Sequence, residues 1–214
     1  MVLEGKKIAF LGDSITRGAY LQNVSDCYSE LVRNAVNWGA FSNHSVPGSR
    51  IGEYIGPDPK HIKGSFLERF PEMPDGMDIV VVFGGTNDFG IGNAPMGEKS
   101  NHDPYTFCGA VNLLMDSLKE KYQDATVIVI LPLHRRNESV PNPFSGAVLE
   151  DYIQVIRKKA LENEFLVCDL RNSPGLQGDD RYYAMLMEDG IHPLEEGHRI
   201  IANELLKYLK AINM

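Results

Sequence analysis

The 214-residue chain is poor in cysteine, in net positive charge and in long apolar runs. Its three cysteines, Cys27, Cys108 and Cys168, are odd in number and far apart, so they make no disulfide framework, and no C-x-x-C pair offers zinc a site. Cys168 lies within Phe165-Leu166-Val167-Cys168 and reads as a buried core thiol. The formal charge of -8 repels nucleic acid and anionic membrane surfaces, which excludes both as general partners; Arg135-Arg136 is a basic pair against that trend. No window approaches a membrane span, and the first residues, Met1-Val2-Leu3-Glu4-Gly5-Lys6-Lys7, lack the apolar stretch of a signal peptide. A cytoplasmic protein is therefore the expectation, with an oligomer neither required nor excluded. The nucleotide signatures G-x-x-x-x-G-K-[ST] and G-x-G-x-x-G are missing, as is the metal motif H-E-x-x-H.

What is present describes an ordinary globular chain. Hydrophobic residues at 43% and charged residues at 23% are enough to bury a core, and no Pro/Ser-rich linker or internal repeat divides the sequence. One domain over residues 1–214 follows. Strands are expected at 6–11, 40–46, 78–83, 125–131 and 165–170. The third and fourth are continuous apolar runs, the pattern of strands buried on both faces of a parallel sheet. Helices are expected at 27–37, at about 61–70, and where Phe107, Ala110, Val111, Leu114 and Leu118 repeat at three-and-four spacing. Leu149, Tyr152, Ile153, Ile156 and Ala160 mark another helix, and Ile200, Ile201, Leu205 and Leu209 the closing one. Residues 84–103 and 133–143 read as loops. Alternating strands and helices predict an α/β fold of three α/β/α layers, with a flavodoxin-like five-stranded parallel sheet in the order 2-1-3-4-5.

Four short stretches hold the chemistry. Gly12-Asp13-Ser14 follows the first strand, Pro47-Gly48-Ser49 the second and Gly84-Gly85-Thr86-Asn87-Asp88 the third; Asp189-Gly190-Ile191-His192-Pro193 precedes the last helix. A parallel sheet carries the first three to one edge. Singly, each has a plain structural use: Asp13 or Ser14 as a helix cap, Gly48 in a turn, Asn87 or Asp88 as another cap, and His192 as a surface imidazole. Together they are complementary. A serine hydroxyl is a weak nucleophile and needs a base. His192 can take its proton and return it to a leaving group, and Asp189, three residues away on a turn, can hold the imidazole in one tautomer. Backbone N–H groups of Ser14 and Gly48 and the side-chain amide of Asn87 can receive an oxyanion. Asp13 is expected to buttress the loops, and His44 and His198 to be structural. His134, Arg135 and Arg136 are read as a solvated loop, with binding of an anionic or sugar part of a substrate as the alternative.

These blocks resemble the SGNH hydrolases of the GDSL esterase/lipase group, named for Ser, Gly, Asn and His in separate blocks. Gly12-Asp13-Ser14 matches the first block, with Ile15 in place of the leucine of GDSL. Gly48 matches the second, Gly85-Thr86-Asn87-Asp88 the third, and Asp189 to Pro193 the last. The nucleophile elbow G-x-S-x-G of the α/β-hydrolases is absent, because Thr16 occupies its second glycine position. The resemblance implies a flavodoxin-like fold, a Ser14–His192–Asp189 triad, no metal or cofactor, and ester hydrolysis through an acyl-enzyme. A small-molecule ester, with a short acyl group such as acetyl on a carbohydrate or similar polar molecule, is the expected substrate. A thioesterase or lysophospholipase acting on longer chains is the alternative enzyme, and a flavodoxin-like ligand-binding module the alternative without catalysis.

Overall fold

A computed structural model of the chain describes residues 2–57 and 64–212. Five strands form one parallel sheet: β1 (Lys7–Gly12), β2 (Ala40–Ser45), β3 (Ile79–Phe83), β4 (Thr126–Ile130) and β5 (Leu166–Cys168). Their order is β2-β1-β3-β4-β5, the flavodoxin-like order expected. The described residues contain eight α-helices: α1 (Ser14–Arg17), α2 (Tyr28–Ala35), α3 (Phe66–Arg69), α4 (Thr86–Ile91), α5 (Phe107–Lys121), α6 (Leu149–Glu162), α7 (Asp180–Ala184) and α8 (Glu195–Ala211).

Side chains alternate across a strand, and here both sides are apolar, so helices must cover both faces. Ala9, Leu11, Val80, Val82, Val127 and Val129 point to one side and meet Ala110, Val111 and Leu114 of α5 and Ile153 and Ile156 of α6. Ile8, Phe10, Ile79, Val81, Phe83, Ile128 and Ile130 point to the other and meet Tyr28 and Val32 of α2 and Ile201, Leu205 and Leu209 of α8. The edge strand β2 is only half-buried over most of its length, which explains its weak apolar pattern.

The register sets the strand ends level. Gly12 pairs with Ser45 on one side and Phe83 on the other, and Phe83 pairs with Ile130. The loops that leave β1, β2 and β3 therefore start at one height. The sheet order reverses direction at β1, which puts Ser14 at the switch point, where a crevice opens outside the strand ends.

Several boundaries differ from the sequence expectation. Residues 84–103 are not all loop: α4 occupies Thr86–Ile91 despite Gly90. Its carbonyls are held from outside, since Asn142 Nδ2 donates to Phe89 O and Gly92 O at 2.8 and 3.1 Å. Tertiary partners there outweigh poor helix propensity. The helix expected at 61–70 is α3 followed by a 3-10 turn at Phe70–Glu72; positions 61–63 lie outside the described residues. Short helices α1 and α7 stand where no periodicity could form in four or five residues.

Candidate active site

The turn from β1 into α1 depends on the lack of a side chain at Gly12. Thr16 folds back over it so closely that a Cβ on Gly12 would lie 2.1 Å from Thr16 Oγ1. Thr16 is fixed there by Tyr28, whose hydroxyl is 2.8 Å from Oγ1. Asp13 is the N-cap, its Oδ1 accepting the Ile15 N–H at 3.0 Å, so the capping role and the buttressing role fall to the same carboxylate. Ser14 is the first helical residue, where a backbone N–H has no partner within the helix. Gly18 closes α1 in the left-handed conformation.

His192 reaches Ser14 from the far end of the chain. An antiparallel bridge between Leu186 and Pro193, together with Met187 N–H donating to His192 O at 2.8 Å, closes a compact loop before α8. Gly190 makes the bend at φ +69, a conformation that side chains resist. The bend lets Asp189 Oδ1 accept from both Ile191 N–H (2.8 Å) and His192 N–H (3.1 Å). Asp189 Oδ2 then lies 2.5 Å from His192 Nδ1, and His192 Nε2 lies 2.7 Å from Ser14 Oγ. Burial acts to raise the Asp189 pKa, but the ring of His192 and the two backbone donors outweigh it and hold the carboxyl below its usual range. An ionised carboxylate only accepts, so Nδ1 carries the imidazole proton. In the neutral imidazole Nε2 then turns its lone pair to the serine hydroxyl.

The second and third blocks meet at the β2 loop. Asn87, in the first turn of α4, donates through Nδ2 to Ser49 O at 3.0 Å, beside Gly48, which sits at φ +77. Asp88 is buried and accepts Ile51 N–H and Gly52 N–H at 3.0 and 2.8 Å, clamping the same loop. Burial pushes its carboxyl up to about 6, against those two bonds and the charge of Arg50. Asp13 is pushed further, to about 7, chiefly by burial and also by the nearby Asp88; the Ile15 N–H and Arg69 pull the other way.

Sequence reasoning passed over Arg69 and Tyr20. Arg69 is buried at the base of the site and donates to His44 O, to Gly12 O at 3.2 Å and to Ser49 Oγ at 2.7 Å, tying the β1 and β2 loops together. No motif surrounds it, and only its position among Phe66, Leu67 and Phe70 hints that it is buried. Tyr20 presents its ring to His192.

The loop after β4 is not simply solvated. Arg135 is half-buried, donates to Thr86 O and Thr86 Oγ1 at 2.9 and 3.1 Å, and packs over Phe89, so it braces the helix carrying Asn87. His134 pairs with Glu138 at 2.9 Å, and its carbonyl accepts from the Tyr182 hydroxyl at 2.5 Å. Arg136 is exposed. His198 is buried, stacks on Tyr28 and accepts its backbone N–H at 3.3 Å; burial lowers its pKa to about 4, so it stays neutral. Cys27, Cys108 and Cys168 are free and buried. Among the described residues no group of three His, Cys, Asp or Glu side chains is placed to hold a metal ion, and no helix is long and apolar enough to cross a membrane.

Comparison with solved structures finds a protein from Lactobacillus plantarum at 25% identity and a TM-score of 0.82, covering 99% of each chain. A lipase/acylhydrolase from Enterococcus faecalis aligns over 96% of this chain and 95% of its own, at 21% identity and a TM-score of 0.64. A two-domain esterase active on acetylated mannans, co-crystallised with mannopentaose, shares the fold over 97% of this chain and 50% of its own, at 15% identity and a TM-score of 0.63. A search of curated proteins finds no match. The profile of the GDSL-like lipase/acylhydrolase family matches residues 10–200. With its site blocks and nearly its whole length inside that match, the chain belongs to the GDSL-like lipase/acylhydrolase family of SGNH hydrolases, enzymes that hydrolyse carboxylic esters.

Proposed function

We propose that the chain is a single-domain serine esterase in which Ser14, His192 and Asp189 form the catalytic triad, acting on a short-acyl ester of a carbohydrate or other polar small molecule. The observation that carries the triad is the unbroken line from Asp189 Oδ2 through both ring nitrogens of His192 to Ser14 Oγ, at 2.5 and 2.7 Å. Ser14 Oγ attacks the ester carbonyl while Nε2 takes its proton. The oxyanion that forms is received by the N–H groups of Ser14 and Gly48 and by the Asn87 amide. Collapse expels the alcohol, which takes the proton from Nε2 and leaves an acyl-serine. Water, deprotonated by the same nitrogen, attacks that ester and releases the acid and the free hydroxyl.

Support for a polar acetylated substrate comes from the chain's acidity, which disfavours an anionic lipid surface, and from the neighbour of shared fold that acts on acetylated mannans. One observation favours the longer-chain alternative: Ile55, Val140 and Phe144 are exposed apolar residues on the loops that follow β2 and β4. Incubation with a fluorophosphonate followed by intact-mass measurement tests the nucleophile, and one adduct lost in Ser14→Ala is expected. An unlabelled, folded wild type sinks the serine-esterase reading. A p-nitrophenyl ester series then sets acyl length, and a preference beyond about eight carbons removes the short-acyl assignment in favour of the lipid or thioester one.

A further inference from the structure

Tyr20 occupies a position that packing does not explain. Leu21 N–H donates to Gly18 O at 3.3 Å, closing a four-residue turn whose third residue is Tyr20 at φ +72. That left-handed conformation favours glycine or asparagine and is strained for an aromatic residue. Among the described residues the other non-glycine positions with positive φ are Asn137 and Glu164, polar residues of surface turns. Burial does not compensate Tyr20 either, since the residue is 72% exposed. Its ring contact is His192, with centroids 4.8 Å apart and planes at 72°. Strain of this kind gathers where a side chain is held for use.

The geometry of the proposed reaction says which part of an ester Tyr20 would meet. This step rests on the serine-esterase reading. His192 Nε2 must hand its proton to the departing alcohol oxygen, so the alcohol half lies beside the imidazole. The carbonyl oxygen lies on the other side of the reacting carbon, toward Gly48 and Asn87. A ring that packs on His192 and opens to solvent therefore borders the alcohol, away from the oxyanion donors. We propose that Tyr20 is a leaving-group platform that selects esters of cyclic alcohols, a sugar ring above all, by packing its exposed face against the apolar face of that ring. Tyrosine suits this use because its body is apolar while its hydroxyl stays wet at the rim.

The test compares acetates that differ only in the alcohol: an O-acetylated methyl pyranoside and ethyl acetate, assayed by acetate release with wild type, Tyr20→Gly and Tyr20→Phe. Tyr20→Gly is expected to keep or raise the melting temperature, because glycine relieves the positive φ. It should lower the ratio of kcat/KM for the sugar acetate over ethyl acetate about tenfold, mainly through KM, the effect of losing one good aromatic contact. Tyr20→Phe should keep that ratio near the wild-type value. An equal loss on both acetates assigns Tyr20 to steadying His192 and overturns the platform, as does an unchanged ratio. A wild type that cleaves neither acetate, with Ser14 unlabelled by fluorophosphonate, overturns this proposal and the esterase reading together.

Discussion

Two aspartates stand at the same site under opposite physical regimes. Asp13 adjoins Ser14 in sequence, is buried, and has its carboxyl pushed up to about 7. Asp189 is 175 positions from Ser14, is partly exposed, and is held below the usual carboxylate range by three hydrogen bonds. Proximity along the chain does not make an acid a partner of the serine. What decides is which carboxylate faces the imidazole, and of the two it is Asp189 that faces His192. Asp13 spends Oδ1 on the N–H of Ile15 and so holds the backbone that aims Ser14.

The comparison breaks most sharply at the reacting atoms. Ser14→Ala and His192→Ala should each lower kcat for p-nitrophenyl acetate by about four to six orders of magnitude, measured on purified variants with unchanged circular dichroism. Activity near wild type in either removes that residue from the line. Next comes the pair of aspartates. Asp189→Asn should lower kcat by about three to four orders of magnitude, because an amide can hold the imidazole in the wrong tautomer. Asp13→Asn, which keeps an acceptor for Ile15 N–H, should cost less than about tenfold. Equal losses would erase the distinction drawn between them.

A smaller effect is expected at the oxyanion side, where Asn87→Ala should cost about two to three orders of magnitude in kcat with little change in KM. Smallest is a stability effect. The folded pKa of Asp13 lies above the unfolded value, so the folded chain keeps a proton that the unfolded chain releases. Stability from this group is therefore complete below about pH 4 and drains away as pH rises through about 7. Asp189 has the opposite sign: its contribution is present at neutral pH and is lost as acid protonates it. Urea unfolding at pH 4.5 and 7.5 should show Asp13→Asn gaining stability relative to wild type at the higher pH. A parallel profile for the two proteins would place the Asp13 pKa near its ordinary value.

The sheet was readable because its strands are apolar on both faces, and β-branched runs such as Ile79–Phe83 and Thr126–Ile130 leave little else to build. That Ser14, His192 and Asp189 meet was readable, because the chemistry proposed for them is mutually dependent and their local turns are short. The helix at Thr86–Ile91 was not, since its stability comes from Asn142 and Arg135, about fifty residues away. Arg69 was invisible for a related reason. Two of its acceptors are carbonyls of β1 and β2, and backbone carbonyls leave no trace in residue identities. Tyr20 was passed over because positive φ is a property of the folded turn, at a residue type that seldom adopts it.

The hydrogen bond between Ser14 and His192 joins residues 178 apart, so it closes a loop of almost the entire chain. A nascent polypeptide holds the serine early in synthesis, but in the proposed mechanism it gains its base only when Asp189 to Pro193 has emerged and folded back over β1. On that proposal hydrolytic competence is a late event in biogenesis, because the contact it needs is long-range. For the same reason, esterase turnover measured during refolding should report the closure of the Ser14–His192 contact, after helix formation has filled the far-ultraviolet signal.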